Sequence, residues 1–165
     1  MRGMKACFPA AFLLGAALAA ASVFGAGSNT LTPGVTVVGT CKVKTAPGIL
    51  NFGSIDPSGA SNVTASTSFS MQCTKSTVST AATDNGGANF SAGTKRMKHS
   101  VTATAFLPYT ITYSGDTGFT GQGFGAATTK TVTVNGTITP AQFQNALVTT
   151  GVQIYSDTVT VTVNP

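Results

Sequence analysis

Tyr155-Ser-Asp-Thr-Val-Thr-Val-Thr-Val-Asn-Pro165 is the last stretch of the sequence, and in it valine alternates with threonine. A period of two is that of a β-strand with one buried face. Tyr155, Val159, Val161 and Val163 share one face of this strand, so they are predicted to form its apolar side. Nothing in the sequence follows the strand to pair with it, so we expect one of its edges to need a partner from elsewhere.

The preceding chain predicts an all-β fold. Phe69, Met71 and Cys73 lie on one face of a predicted strand, which points Cys73 into the core, and Gln72 lies on the other face. Residues 106–113 repeat the alternation, and turn-forming residues separate these runs. Residues 140–148 could hold a helical turn, but no stretch has the pattern of a longer amphipathic helix.

Two segments are open to more than one interpretation. Asn135 and Gly136 interrupt an alternating run, which is either a hairpin turning at these residues or one strand with a bulge. The basic run at residues 95–99 is predicted to be the solvated edge of a hairpin, since it lacks the interleaved aromatic residues of a nucleic-acid site.

The N-terminus resembles an export signal. Arg2 and Lys5 precede an apolar run that ends in small residues, which is the order found in a cleaved signal peptide. Residues 1–21 are therefore predicted to be removed, with cleavage possible as late as residue 26; the alternative is an uncleaved membrane anchor.

Export also bears on the cysteines. Cys7 lies in the predicted signal, which leaves Cys41 and Cys73 in the mature chain. Two cysteines in a small exported domain predict one disulfide. Both fall on inward-facing positions, so their sulfurs could meet between facing strands or between sheets.

The composition argues against an enzyme, a cofactor or a small-molecule substrate. Only 8% of residues are charged, against about 25% in an average protein. Glu is absent, the four Asp residues are scattered, and His99 is the single histidine. No metal-ligand spacing or catalytic set is visible, and the small positive charge does not predict nucleic-acid binding.

A second alternating stretch lies at residues 29–41, directly after the predicted signal. Leu31, Pro33, Val35 and Val37 occupy every second position of it, so it also reads as a strand that continues into Cys41. In the mature protein this stretch is an N-terminal arm with no earlier strand to pair with.

Several of these motifs together resemble the spore coat protein U domain family, the pilin subunits of the archaic chaperone-usher class. The resemblance rests on residues 37–43 (Val-Val-Gly-Thr-Cys-Lys-Val), 50–53 (Leu-Asn-Phe-Gly), 69–73 (Phe-Ser-Met-Gln-Cys), 107–109 (Leu-Pro-Tyr) and 155–163.

This resemblance implies an incomplete immunoglobulin-like β-sandwich that lacks its final strand. In the family a periplasmic chaperone lends a strand, and the N-terminal arm of another subunit then replaces it at an outer-membrane usher. By the same resemblance, residues 22–40 are an extension carrying the donor strand, and residues 41–165 are the pilin domain.

The family pattern also assigns roles to residues. The donor residues would be Leu31, Pro33, Val35 and Val37, although Pro33 has no N–H to offer a neighbouring strand. The acceptor edge would comprise Tyr155, Val159, Val161 and Val163, and the carboxylate of Pro165 would be held by the chaperone.

The resemblance therefore implies a surface fibre that serves attachment and biofilm formation. Its partners would be the chaperone, the usher and other pilin subunits. The alternative is a secreted coat or matrix protein whose arm folds back into its own groove.

Overall fold

Alternating apolar residues organise the described chain around antiparallel strands. The computed structural model describes residues 27–150 and 154–165, so the predicted signal peptide and its cleavage site lie outside the described residues. Residues 36–165 form one unit, and the segment that ends at Val35 belongs to another. In the described part of the chain the elements are β1 (Cys41–Thr45), β2 (Val63–Cys73), β3 (Thr83–Asp84), β4 (Lys95–His99), β5 (Phe106–Ser114), β6 (Lys130–Ile138), α1 (Pro140–Phe143), β7 (Tyr155–Ser156) and β8 (Val161–Thr162).

The strands form a curled antiparallel sheet in the order β1-β2-β6-β5-β4-β7, and β3 pairs separately with β8. The curl arises at β5, which pairs with β4 through its first half and with β6 from Thr110 to Ser114. The prediction of an all-β, sandwich-like fold is confirmed. No helix among the described residues is long and apolar enough to cross a membrane.

The interior is built from the side chains that the alternation places inward. Phe69, Met71 and Cys73 of β2 are each at most 2% exposed, as predicted. Gln72, on the opposite face, is buried as well, and its Nε2 donates to the Ala126 carbonyl at 2.7 Å. The buried residues fall into two clusters. One contains Phe69, Met71, Val132, Val134 and Val163, and the other contains Leu107, Tyr109, Ile138 and Phe143.

The predicted disulfide is confirmed, and it joins neighbouring strands of one sheet. Cys41 stands directly opposite Cys73 in the β1–β2 ladder, and their sulfurs are bonded. Strand pairing begins only at Cys41, later than the alternation from residue 29 predicts, and residues 27–40 have no assigned strand.

Asn135 and Gly136 form neither a hairpin nor a bulge. They lie inside β6, whose register against β2 is unbroken from Lys130 to Ile138. A Cβ at Gly136 would lie 2.6 Å from Phe52 Cζ and 2.8 Å from Leu50 Cδ2. The glycine is therefore required because two side chains pack onto the strand at this point.

A second strand covers only the end of the basic run. The run forms β4, which pairs with β5 from Lys95 to Lys98 and with β7 at Lys98 and His99 alone. His99 is 3% exposed, so the predicted solvated edge is wrong at this end of the strand. The cations find partners locally, since Lys95 Nζ lies 2.8 Å from Asp84 Oδ1 and the Arg96 guanidinium lies 4.2 Å from the centre of the Phe106 ring. The predicted helical turn is confirmed as α1, which begins at Pro140 and buries Phe143.

Candidate functional site: a groove beside the C-terminal run

The C-terminal run, residues 155–165, is paired along one side. Ala88 N–H donates to the Thr158 carbonyl at 2.9 Å, and Asn85 N–H donates to the Thr160 carbonyl at 3.1 Å. Backbone groups of successive strand residues point to opposite edges, so the N–H and C=O groups of Val159 and Val161 face the other side. Among the described residues β8 pairs with β3 alone, which leaves this second edge without a strand.

An apolar groove of about 1060 Å³ lies beside this free edge. Residues 154–159 and Val161 form its first wall, and residues 47–55 contribute its second wall. The floor comes from β4, β5, β6 and α1, with the residues Met97, Leu107, Tyr109, Ile111, Tyr113, Val134, Ile138 and Phe143. Residues of the domain core therefore form the floor of the groove.

The second wall has no strand pairing of its own. Leu50 and Phe52 are half-buried and pack onto β6 at Gly136, whereas Ile49 between Gly48 and Leu50 is 89% exposed. The N–H of Gly53 is bonded within the segment, to Asn51 Oδ1 at 2.9 Å. This wall is thus an irregular segment on the side of the groove opposite the C-terminal run.

The two walls run in opposite directions. Cys41 and Val163 pack in the first core cluster, whereas Ile55 and Tyr155 pack in the second. The chain from residue 41 to 55 therefore travels from the first cluster to the second, and the chain from 155 to 163 travels back. A strand inserted in the groove would be antiparallel to one wall and parallel to the other.

Two tyrosines of β5 that line the groove donate their hydroxyl hydrogens to carboxylates. Tyr109 Oη donates to Asp157 Oδ2 and Tyr113 Oη donates to Asp84 Oδ2, both at 2.7 Å. Burial raises the pKa of each tyrosine, and the hydrogen bond to the neighbouring carboxylate raises the pKa further. Both hydroxyls therefore remain protonated donors at neutral pH.

Asp84 is an ion-paired carboxylate behind the groove. Burial disfavours its charge, but the Lys95 ammonium, the Tyr113 hydroxyl and the Gly86 N–H outweigh this and hold the pKa of Asp84 below its ordinary value of 3.8. The charged form is thus the one that the fold stabilises.

Acid is expected to weaken the domain through this group. Because the folded-state pKa of Asp84 is lowered, its contribution is present above the ordinary value and is lost as the pH falls through the folded-state pKa. Between about pH 6 and about pH 3 the wild type should lose more free energy of unfolding than Asp84→Asn, as measured by urea denaturation. Equal losses in the two proteins would contradict this assignment.

The predicted acceptor residues do come together. Tyr155, Val159 and Val161 line the groove, and Val163 continues the same face into the core at 9% exposure. Pro165 is exposed, and its carbonyl oxygen accepts from Thr80 Oγ1 at 3.3 Å.

The predicted donor residues carry exposed side chains. Leu31 is 88% exposed, Val35 91% and Val37 75%, and Pro33 is exposed as well. Their donor role stays a prediction, because a donor acts on another copy of the chain.

Sequence reasoning missed two parts of the site. Leu50 and Phe52 were recognised only within the motif at residues 50–53, although their alternation was a signal for a wall. Asp157 occupies the same face as Val159, so an acid at a core-facing position was a signal for a buried polar partner.

In the described ranges no group of three or more His, Cys, Asp or Glu side chains comes together as metal ligands would. The expectation that the chain needs no metal or cofactor stays a prediction.

Comparisons with known proteins bear on this groove. The sequence pattern of the Spore Coat Protein U domain matches residues 28–162. The comparison with curated proteins gave no match. Since the match spans the groove, both walls and nearly all of the described chain, the chain belongs to the Spore Coat Protein U domain family.

Proposed function

We propose that this chain is a structural subunit of a surface fibre, in which the arm of one copy fills the groove of the next. Spore Coat Protein U domains are associated with subunits of chaperone-usher pili. The observation that carries the proposal is the free backbone edge at Val159 and Val161 beside an open apolar groove. An added strand there would pair with the free backbone groups and cover apolar side chains.

The arm has the pattern that such a groove accepts. Leu31, Val35 and Val37 alternate with polar or small residues, and each is at least 75% exposed. One face of an extended arm would thus enter the groove while the other faced water. At Pro33 the inserted arm would make one backbone hydrogen bond fewer, because proline has no N–H to donate to the wall of the groove.

Side-chain burial and chain ordering nearly cancel for this arm. Burying an apolar side chain contributes about 1.5 to 3 kcal/mol, and fixing the backbone costs about 1 to 2 kcal/mol per residue. Since two residues are ordered for each one buried, hydrogen bonds to the walls decide whether the arm binds. The free edge of the C-terminal run supplies them at about 0.5 to 1.5 kcal/mol each.

Assembly would follow the route of the pilus class. A periplasmic chaperone first covers the groove and holds the carboxylate of Pro165, and an outer-membrane usher then exchanges it for the arm of another subunit. Such head-to-tail contacts do not close, so they produce a fibre. The fibre would serve attachment and biofilm formation. That the chain is not an enzyme stays a prediction from its composition.

Deletion of residues 27–38 tests this proposal. In the native host, the wild-type fibre should give a ladder of multimers on an unheated gel, because inserted strands resist detergent. The truncated chain should give no ladder and should remain as a monomer, since its groove is intact but it donates no strand.

An unchanged ladder would contradict the donor role of the arm. A wild-type protein that is monomeric, and folds without a chaperone, would instead support the self-complemented coat or matrix protein.

A further inference from the structure

Asp157 lies where the C-terminal run passes from pairing with β4 to pairing with β3. Its Oδ2 accepts from Tyr109 Oη at 2.7 Å, and its Oδ1 accepts from the Asn89 N–H at 3.1 Å and from Asn89 Nδ2 at 3.0 Å. A side chain at Gly87 would collide with this carboxylate. The turn at Gly87 and Asn89 therefore encloses Asp157 from the outer side of the run.

The position is one where an apolar residue would continue the pattern of the strand. A half-buried carboxylate costs free energy unless hydrogen bonds replace its water. A valine here would pack like Val159 but would not fix the strand in one position, because apolar contacts are non-directional. Asp157 instead gives the first wall a directional attachment in a stretch where β7 and β8 are each only two residues long.

Tyr109 connects this attachment to the other wall. Its ring is 4% exposed and meets the Phe52 ring edge to face, with 6.4 Å between the ring centres. Phe52 belongs to the second wall and Asp157 to the first, so one side chain on the floor contacts both walls. Packing aims the hydroxyl, because the buried ring has little freedom to turn.

We infer that Tyr109 and Asp157 are positioning residues, which hold the free edge in place and set the width of the groove before a strand enters it. This inference rests on the proposed function and concerns how the groove receives its donor. If the edge is already fixed, binding costs only the conformational entropy of the donor strand. If the edge is loose, binding also costs the conformational entropy of the C-terminal run.

The neighbouring pair of Tyr113 and Asp84 provides the comparison. It has the same hydrogen bond, of 2.7 Å, but its carboxylate lies on β3 and not on the C-terminal run. Tyr109→Phe and Tyr113→Phe each remove one hydroxyl with almost no change in volume. Tyr109→Phe removes an attachment of the C-terminal run, whereas Tyr113→Phe removes an attachment of β3.

The test uses the full mature chain carrying Val35→Asp, so that its own arm does not donate, and a fluorescent peptide of residues 29–40 as the probe. Tyr109→Phe should weaken peptide binding by about ten- to a hundred-fold, the range expected for a hydrogen bond to a charged group, and Tyr113→Phe should weaken it less. In the empty protein, Tyr109→Phe should speed amide hydrogen exchange most at residues 155–159, whereas Tyr113→Phe should speed it most at residues 83–88.

Equal binding and equal exchange patterns in the two variants would overturn the inference and leave the pair a general stabilising contact. Asp157→Asn provides a second variant if Tyr109→Phe does not fold. Its single amide oxygen can accept from Tyr109 or from Asn89 but not from both, so it should bind the peptide more weakly than wild type, and wild-type affinity would count against the inference. If the parent protein binds no peptide, the proposed function fails, and the exchange patterns still decide whether Tyr109 and Asp157 hold the edge.

Discussion

A chain carrying Val35→Asp should form no ladder of multimers, although its domain should fold as stably as the wild type. Val35 is 91% exposed, so a charge there does not disturb the fold of its own chain. In the groove of another copy the same charge would have no partner among apolar side chains, at a cost of several kcal/mol. A penalty of about 4 kcal/mol weakens binding by about a thousand-fold, which is enough to abolish assembly.

Thr36→Asp is the matched control. It places the same charge one residue along, on the face of the arm that points away from the groove. The unheated gel should show a ladder for this variant and none for Val35→Asp, while thermal melting of the chaperone-released monomers is unchanged in both. Two equal ladders, or two equal losses, would mean that the arm does not insert with Leu31, Pro33, Val35 and Val37 inward.

Removing the disulfide should destabilise the domain more than most single substitutions. Cys41 and Cys73 are separated by 32 residues, so the bond restricts a long loop of the unfolded chain. Cys41→Ala with Cys73→Ala is expected to lower the free energy of unfolding by about 2 to 5 kcal/mol, out of a total of about 5 to 15 kcal/mol for a typical domain. Urea denaturation at neutral pH measures the difference.

Wild-type protein treated with a reducing agent is the control, and it should unfold near the midpoint of the double variant. A double variant with the midpoint of the oxidised wild type would show that the bond adds nothing to stability.

The all-β fold could be predicted because its cause is local. The alternation of Phe69, Met71 and Cys73 specifies a buried face wherever the strand is placed. The burial of Gln72 on the opposite face could not be predicted, because its partner, the carbonyl of Ala126, is 54 residues away and lies outside any local pattern.

Non-local packing also overrode local turn preference. Asn135 and Gly136 are a turn signal when only the sequence is considered, but β2 and β5 both pair with this strand and Phe52 packs onto the glycine. The prediction of a fully solvated edge at residues 95–99 missed similar partners, since Asp84 and Phe106 contact Lys95 and Arg96.

The first wall of the groove was predictable and the second was not. The strict alternation around Val159 and Val161 predicts the strand of the first wall. Residues 47–55 are irregular, and they form the second wall only because they pack on β6. The role of Tyr109 depends on contacts to both walls, so it appears only once the chain is folded.

The position of the disulfide has a mechanical consequence for a fibre of this kind. A pull on the arm reaches the domain at Thr40 and Cys41, where β1 begins. β1 alone is a five-residue strand at the margin of the sheet and would unzip from its end. The bond to Cys73 instead passes the tension directly into β2, an eleven-residue strand held between two neighbours, so that the load bypasses the short strand at this margin of the sheet.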